Sequence, residues 1–223
     1  MLPGKPLRLA VFFSGGGSTL QNLIDHIDQG TLPAQIDWTL SSRTGVGGIE
    51  KSRKAGIPCV VLPRKEFPGH GEFSLAVNLH LSQHPVDLIV LAGFMSLYFF
   101  PEEYRGRVIN IHPALIPAFC GQGMYGHHVH EAVIDAGVKV TGATVHFADL
   151  EYDHGPIILQ CCIPVLDDDT PQSIAEKVQA LERELYPEAI GLIARRRLRI
   201  DGHRTRILPE PEAEDRAGLN PDA

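Results

Sequence analysis

Two short polar segments interrupt a chain that otherwise reads as a succession of apolar runs. They are Asn110-Ile111-His112-Pro113, directly after one such run, and Asp153-His154-Gly155-Pro156, directly before another. Asn110, His112 and Asp153 supply a neutral donor, an imidazole titrating near neutrality and a carboxylate. Acyl transfer to an amine needs that set: an amide to hold a developing oxyanion, a group exchanging protons near pH 7, and an acid to orient it or relay protons. Asn110 and His112 stand two apart on a predicted strand and so share one face of it. The pattern places them just beyond the carboxyl end of that strand, where open parallel sheets bind ligands. Taken singly, His112 reads equally as a structural histidine and Asp153 as a turn aspartate before Gly155, and spacing alone does not join the two.

The elements that must position these groups begin with Leu7-Arg8-Leu9-Ala10-Val11-Phe12-Phe13, a buried strand that breaks into Ser14-Gly15-Gly16-Gly17-Ser18-Thr19. Leu20, Leu23, Ile24 and Ile27 then recur at helical spacing, which predicts a helix from about Ser18 with its hydroxyl as cap. A glycine loop opening a helix offers unpaired N–H groups and a positive dipole end, suited to phosphate. It is not a dinucleotide fingerprint, because Leu20 replaces the third glycine and no acidic residue stands near 41–44, nor a Walker loop, because no Gly-Lys-Ser/Thr follows. A phosphate monoester is the expected ligand; a plain strand-to-helix turn is the alternative.

Further strands are predicted at 36–40, 59–62 and 87–92, with helical segments at 47–54 and 72–82 between them. That alternation implies a mostly parallel sheet flanked by helices, an α/β Rossmann-like class. Beyond Gly93 the pattern is mixed: a strand at 108–111, a helix at 129–136, and strands at 140–147 and 157–165. Thr170 caps a long helix with Pro171 at its first position; Ile174, Val178, Leu181 and Leu185 form its buried stripe, and Pro187 is expected to kink or break it. Gln179 and Glu182 lie one turn apart on that helix and, by themselves, read as solvated. His127, His128 and His130 follow glycines at 121, 123 and 126 around Met124 and Tyr125. Without a cysteine or carboxylate at ligand spacing, this group reads as a mobile loop covering the site, not a metal centre.

With 223 residues and 43 % hydrophobic content, the chain can bury one full α/β core. We expect a single domain over 1–200, a mononucleotide-binding half at 7–107 and a catalytic half at 108–200, followed by a solvated tail at 201–223. A formal charge of −7 argues against a nucleic-acid surface. Arg195-Arg196-Arg197-Leu198-Arg199 falls where a helix should end, and cations there complement its dipole. Cys59, Cys120, Cys161 and Cys162 show no metal spacing and read as reduced thiols. The apolar segment at the start is too short for a signal sequence or a membrane span, so a cytoplasmic protein without membrane contact is expected, as monomer or homodimer.

The residues carry a resemblance covering about 7–198. Ser14-Gly15-Gly16-Gly17-Ser18, Leu91-Ala92-Gly93-Phe94-Met95, Asn110 to Pro117, Val145-His146-Phe147 and Asp153 to Gln160 together resemble the phosphoribosylglycinamide formyltransferase family. The Asn-x-His and Asp segments are shared by formyltetrahydrofolate-using enzymes in general; the glycine loop and the late helix narrow the choice. The resemblance implies transfer of a formyl group from 10-formyltetrahydrofolate to glycinamide ribonucleotide, with Asn110, His112 and Asp153 catalytic and no metal. It implies that Gly17, Ser18 and Thr19 hold the phosphate and that Gln179 and Glu182 bind the ribose end. It further implies that Met95, Ser96, Leu97 and Tyr98, with Asn110 and Asp149, Leu150, Glu151, Tyr152 and Asp153, embrace the folate. His112 is expected to be protonated, its pKa raised by Asp153.

Three positions depart from the family pattern. Thr19 replaces a common Asn, Ser96 a common Arg, and His70 aligns loosely with another Arg on the folate side; the last two remove cations from the expected glutamate end. The loop over 120–130 is also longer than in the shortest members. Formyltetrahydrofolate hydrolase uses a similar catalytic set but carries an N-terminal regulatory domain, which this chain is expected to lack. Methionyl-tRNA formyltransferase adds a C-terminal tRNA-binding domain. A non-catalytic nucleotide-binding module is the remaining alternative, since fold alone never establishes activity.

Overall fold

The computed structural model describes residues 5–210. Its centre is a seven-stranded sheet in the order β3-β2-β1-β4-β5-β6-β7. The strands are β1 (Leu7–Phe13), β2 (Ala34–Ser41), β3 (Cys59–Val61), β4 (Leu88–Leu91), β5 (Val108–His112), β6 (Val140–Phe147) and β7 (Ile157–Pro164). Pairing is parallel from β3 through β5 and antiparallel for β5–β6 and β6–β7. The parallel half and the mixed second half thus follow the expectation from sequence.

β1 explains the layering. Leu9, Val11 and Phe13 point into a core shared with Leu20 and Leu23 of α1 (Ser18–Asp28) and Ile174, Val178 and Tyr186 of α5 (Pro171–Ala194). Ala10 and Phe12, on the opposite face, meet Phe73, Val77 and Leu81 of α3 (His70–Gln83). Both faces of the strand are therefore covered, which is why it reads as a continuous apolar run. Each such fully buried side chain contributes about 1.5–3 kcal/mol relative to exposure. The remaining helices are α2 (Gly47–Lys54) and α4 (His127–Asp135).

The chain fills β1, β2 and β3 outward in one direction and then places β4 and β5 on the other side of β1. This reversal creates a crevice at the carboxyl ends of β1 and β4, where α/β sheets bind ligands. Ser14, 1 % exposed, ties its walls together: its N–H donates to Gly93 O (3.1 Å) and its Oγ accepts from Met95 N (2.8 Å).

Three local expectations are corrected. Ser18 does not cap α1; the cap residue is Gly17, in a left-handed conformation (φ 68°) with no side-chain cap bond. Only a residue without Cβ fits there, since a Cβ would come within 2.7 Å of Gly48 Cα. Pro187 does not break α5, which runs unbroken from Pro171 to Ala194 behind a reciprocal Thr170–Ser173 capping box. The proline removes the hydrogen bond that Arg183 O would receive, and Asn22 Nδ2 of α1 donates to that carbonyl instead (2.8 Å). The first part of the tail expected from 201 is instead ordered: β8 (Leu198–Asp201) and β9 (Arg204–Ile207) pair as an antiparallel hairpin, exposed along most of its length. Residues 211–223 of that expected tail lie outside the described residues.

Candidate active site

Asn110 and His112 lie within β5, which runs one residue past the end expected from sequence, so both are strand residues and do not lie beyond it; His112 is 3 % exposed. Asp153 comes from the loop between β6 and β7, which Phe147 N closes by donating to Pro156 O (2.9 Å). Gly155 is required in that loop, because a Cβ there would run into Phe147 O. Asp153 itself adopts a left-handed backbone (φ 55°), as does Phe119 (φ 51°) on the segment after β5. Such strain at non-glycine residues persists only where surrounding contacts over-determine it.

Those contacts join the three residues that sequence left apart. Asn110 Nδ2 donates to Asp153 Oδ1 (3.3 Å), and Asp153 Oδ2 lies 3.4 Å from His112 Nδ1 while accepting from Gly121 N (2.9 Å). His112 Nε2 lies 2.8 Å from Phe119 O. A carbonyl only accepts, so Nε2 carries the hydrogen and Nδ1 turns a lone pair toward Asp153. A fourth member, His146 on β6, was quoted in a motif but not singled out as a site residue. It faces Asn110 across the β5–β6 ladder, and its Nε2 accepts from Asn110 Nδ2 (3.2 Å) while Nδ1 donates to its neighbour's carbonyl, Phe147 O (2.9 Å).

Burial lowers the pKa of His112; the charge of Asp153 and the Phe119 carbonyl pull it upward without overcoming desolvation. This corrects the expectation of a protonated His112: burial favours the neutral imidazole. Burial also pushes the Asp153 carboxyl up, but the polar groups around it, the Gly121 N–H among them, outweigh it, so Asp153 is held below the usual carboxylate range and ionised. The site therefore rests as carboxylate, neutral imidazole and amide, ready to accept one proton.

Thr144, fully buried on β6, secures the segment after His112. Its Oγ1 donates to Ala114 O (2.7 Å) and accepts from Ile116 N (3.1 Å) and from Gln160 Nε2 (2.9 Å). Tyr186 of α5 places its hydroxyl 2.9 Å from Leu91 O and 3.1 Å from Ile109 O, pinning the helix to the ends of β4 and β5.

A single cleft of about 750 Å³ contains the catalytic set and most of the expected ligand residues. Ser18, Thr19, Gln179 and Glu182 line one part of it; Met95, Ser96, Leu97, Tyr98, Asp149, Glu151 and Tyr152 line another. Two expected residues do not reach its wall: Gly17, whose part is the helix start, and Leu150, which is 53 % exposed on the outside of its loop. Tyr98 is buried, its hydroxyl donating to Asn78 Oδ1 (2.7 Å) on α3. Burial pushes the Glu182 carboxyl up to about 7, with no opposing cation. Lys51 of α2, which sequence reasoning passed over, donates from Nζ to Gly17 O (3.2 Å) and brings a cation to the glycine loop. Its signal was weak, because a lysine in a charged helical stretch reads as solvated. His127 and His130 also line the cleft, while His128 turns outward to Glu131.

No helix among the described residues is long and apolar enough to cross a membrane. A sequence profile described as formyl transferase matches residues 7–190. The human trifunctional purine biosynthetic protein adenosine-3 is 40 % identical over 192 residues, covering 85 % of this chain, which spans 18 % of that protein's length. Phosphoribosylglycinamide formyltransferase of Haemophilus influenzae is 34 % identical over 195 residues, covering 86 % of this chain and 90 % of that one. The crystal structure of glycinamide ribonucleotide transformylase 1 from Symbiobacterium toebii superposes with a TM-score of 0.83 at 38 % identity, covering 92 % of this chain and 95 % of that one. On the extent of the profile match, and with this geometry at its centre, the chain belongs to the formyl transferase family.

Proposed function

We propose that the protein transfers the formyl group of 10-formyltetrahydrofolate to the amine of glycinamide ribonucleotide, a step of purine biosynthesis. The observation that carries this reading is the continuity of one cleft from Ser18, Thr19, Gln179 and Glu182, through Asn110, His112 and Asp153, to Met95–Tyr98, Asp149, Glu151 and Tyr152. A ribonucleotide at the glycine loop and a folate at the far end bring amine and formyl carbon together at the catalytic set. Lys51 and the start of α1 suit a phosphate monoester. The four cysteines are free thiols, which fits the reducing cytoplasm.

In this reading the amine attacks the formyl carbon and the carbonyl oxygen becomes an oxyanion, to which the Asn110 amide donates by turning over the hydrogen it otherwise shares with Asp153 Oδ1. The proton leaving the amine passes to the neutral His112. Asp153, 3.4 Å away, stabilises the imidazolium so formed, and the proton then goes to the departing folate nitrogen. Asn110 keeps its orientation through the second hydrogen of its amide, on His146.

The test is folate product formation with and without glycinamide ribonucleotide. Product only with the ribonucleotide supports the transferase. Product without it favours the hydrolase, and no product under either condition returns the chain to a binding module.

A further inference from the structure

Three buried side-chain atoms among the described residues have no hydrogen-bond partner: His130 Nδ1, Thr141 Oγ1 and Thr205 Oγ1. Only the first belongs to a residue of the cleft wall. His130 is 6 % exposed, anchored on α4 between turns that bury Val129 and Val133, and neither of its ring nitrogens is paired among the described residues. An aliphatic side chain would fill this place without stranding a polar atom. Nδ1 is shut off from solvent, so the ring can gain a partner only through Nε2, and a ligand group in the cleft would supply it.

Its surroundings indicate which ligand. His130 senses the charges of His112 and His127, so it stands beside the catalytic pair. Its helix packs against α5, the helix of Gln179 and Glu182. It therefore sits where the cleft passes from the catalytic set to the part assigned above to the ribonucleotide. Burial, and then the two neighbouring histidines, keep the ring neutral, with one N–H and one lone pair. A stranded lone pair is tolerated better than a stranded N–H, which leaves Nδ1 bare and puts the hydrogen on Nε2.

Resting on the reaction proposed above, we propose that His130 contacts the acyl acceptor: its Nε2–H donates to the amide carbonyl of glycinamide ribonucleotide and so orients the neighbouring amine toward the formyl carbon. This makes His130 a reader of the glycinamide group, separate from the phosphate and ribose contacts.

Steady-state kinetics with each substrate varied in turn tests the contact. Wild-type dependence on the ribonucleotide is measured first, and its absence overturns the reaction reading by itself. Given that dependence, His130→Leu is expected to raise the ribonucleotide KM roughly tenfold, the loss of one hydrogen bond, and to leave the folate KM within about twofold. His130→Gln, whose amide reaches the Nε2 position, is expected to recover most of the loss, and His130→Asn is not. A purely structural histidine would move both KM values together. Equal rises, or an unchanged ribonucleotide KM in a folded Leu variant, overturn the contact. If the Leu variant does not fold, ¹⁵N-imidazole spectra of the wild-type protein decide: the His130 Nε2 resonance is expected to shift when ribonucleotide alone is added, and a resonance that stays put overturns the proposal.

Discussion

At the glycine-loop end of the cleft the polar groups are backbone N–H groups, the start of a helix and side chains of α5, with Lys51 of α2 held on the Gly17 carbonyl beside the cleft wall. At the histidine end they are the side chains of Asn110, His112, His146 and Asp153, each held by another of the set or by a backbone group of an adjoining strand or loop. The first arrangement tolerates exposure, because a helix start and an ammonium attract an anion in water as well. The second depends on burial: the same desolvation that keeps His112 neutral makes a proton on it sensitive to Asp153. Substitutions at the two ends should therefore differ in kind, in binding at one and in rate at the other.

Asn110→Ala is the largest expected effect, a loss of about 10²- to 10³-fold in kcat with the cooperative unfolding transition preserved. Activity within about threefold of wild type would remove Asn110 from the chemistry and erase the contrast. Gly155→Ala comes next. Its new Cβ must displace Phe147 O or the Asp153 loop, so kcat should fall at least roughly tenfold and denaturant unfolding should show about 1–3 kcal/mol of lost stability. Unchanged kinetics would show that the loop finds Asp153 its place without that glycine.

At the other end the effects are smaller and fall on binding. Lys51→Met should raise the ribonucleotide KM by about three- to tenfold with kcat unchanged, the range for losing one charge-assisted contact. A fall in kcat instead would place Lys51 in the chemistry. Glu182→Gln sharpens the comparison through stability. A carboxyl whose pKa rises from 4.5 to about 7 on folding makes the folded state bind more protons than the unfolded one between those values, so stability falls as pH rises through that window. The variant escapes this loss. It should be more stable than wild type by about 1–2 kcal/mol at pH 8, discounted for the carboxyl's contact with cleft water, and should lose that advantage toward pH 4.5. Parallel melting curves of the two proteins across pH would contradict a half-buried, unpaired carboxyl.

What sequence could reveal divides along the same line. β1, the glycine loop and α1 are contiguous, and their apolar runs and glycines fix both fold and site locally. Asn110 and His112 are legible for the same reason, being neighbours on one strand face. The approach of Asp153, the Phe119 carbonyl and Thr144 depends on where loops return to the sheet, which no local pattern encodes. His146 lies inside an apolar stretch where a buried histidine reads as core. The expectation of a protonated His112 rests on the family resemblance, which pairs it with Asp153 but carries no information on how deeply the imidazole is buried. The β8–β9 hairpin was missed because its exposed, arginine-rich strands have the composition of a tail.

Asn22 and Pro187 carry a consequence for how this sequence can drift. With any residue other than proline at 187, an N–H returns to the helix ladder and competes with Asn22 for Arg183 O; with Asn22 replaced by an apolar residue, that carbonyl is left unpaired. Each change alone disturbs the contact between the first helix and the last, and the two together restore a continuous helix that needs no help from its neighbour. The positions are therefore expected to covary among relatives, a polar residue in α1 accompanying the proline in α5 and vanishing with it.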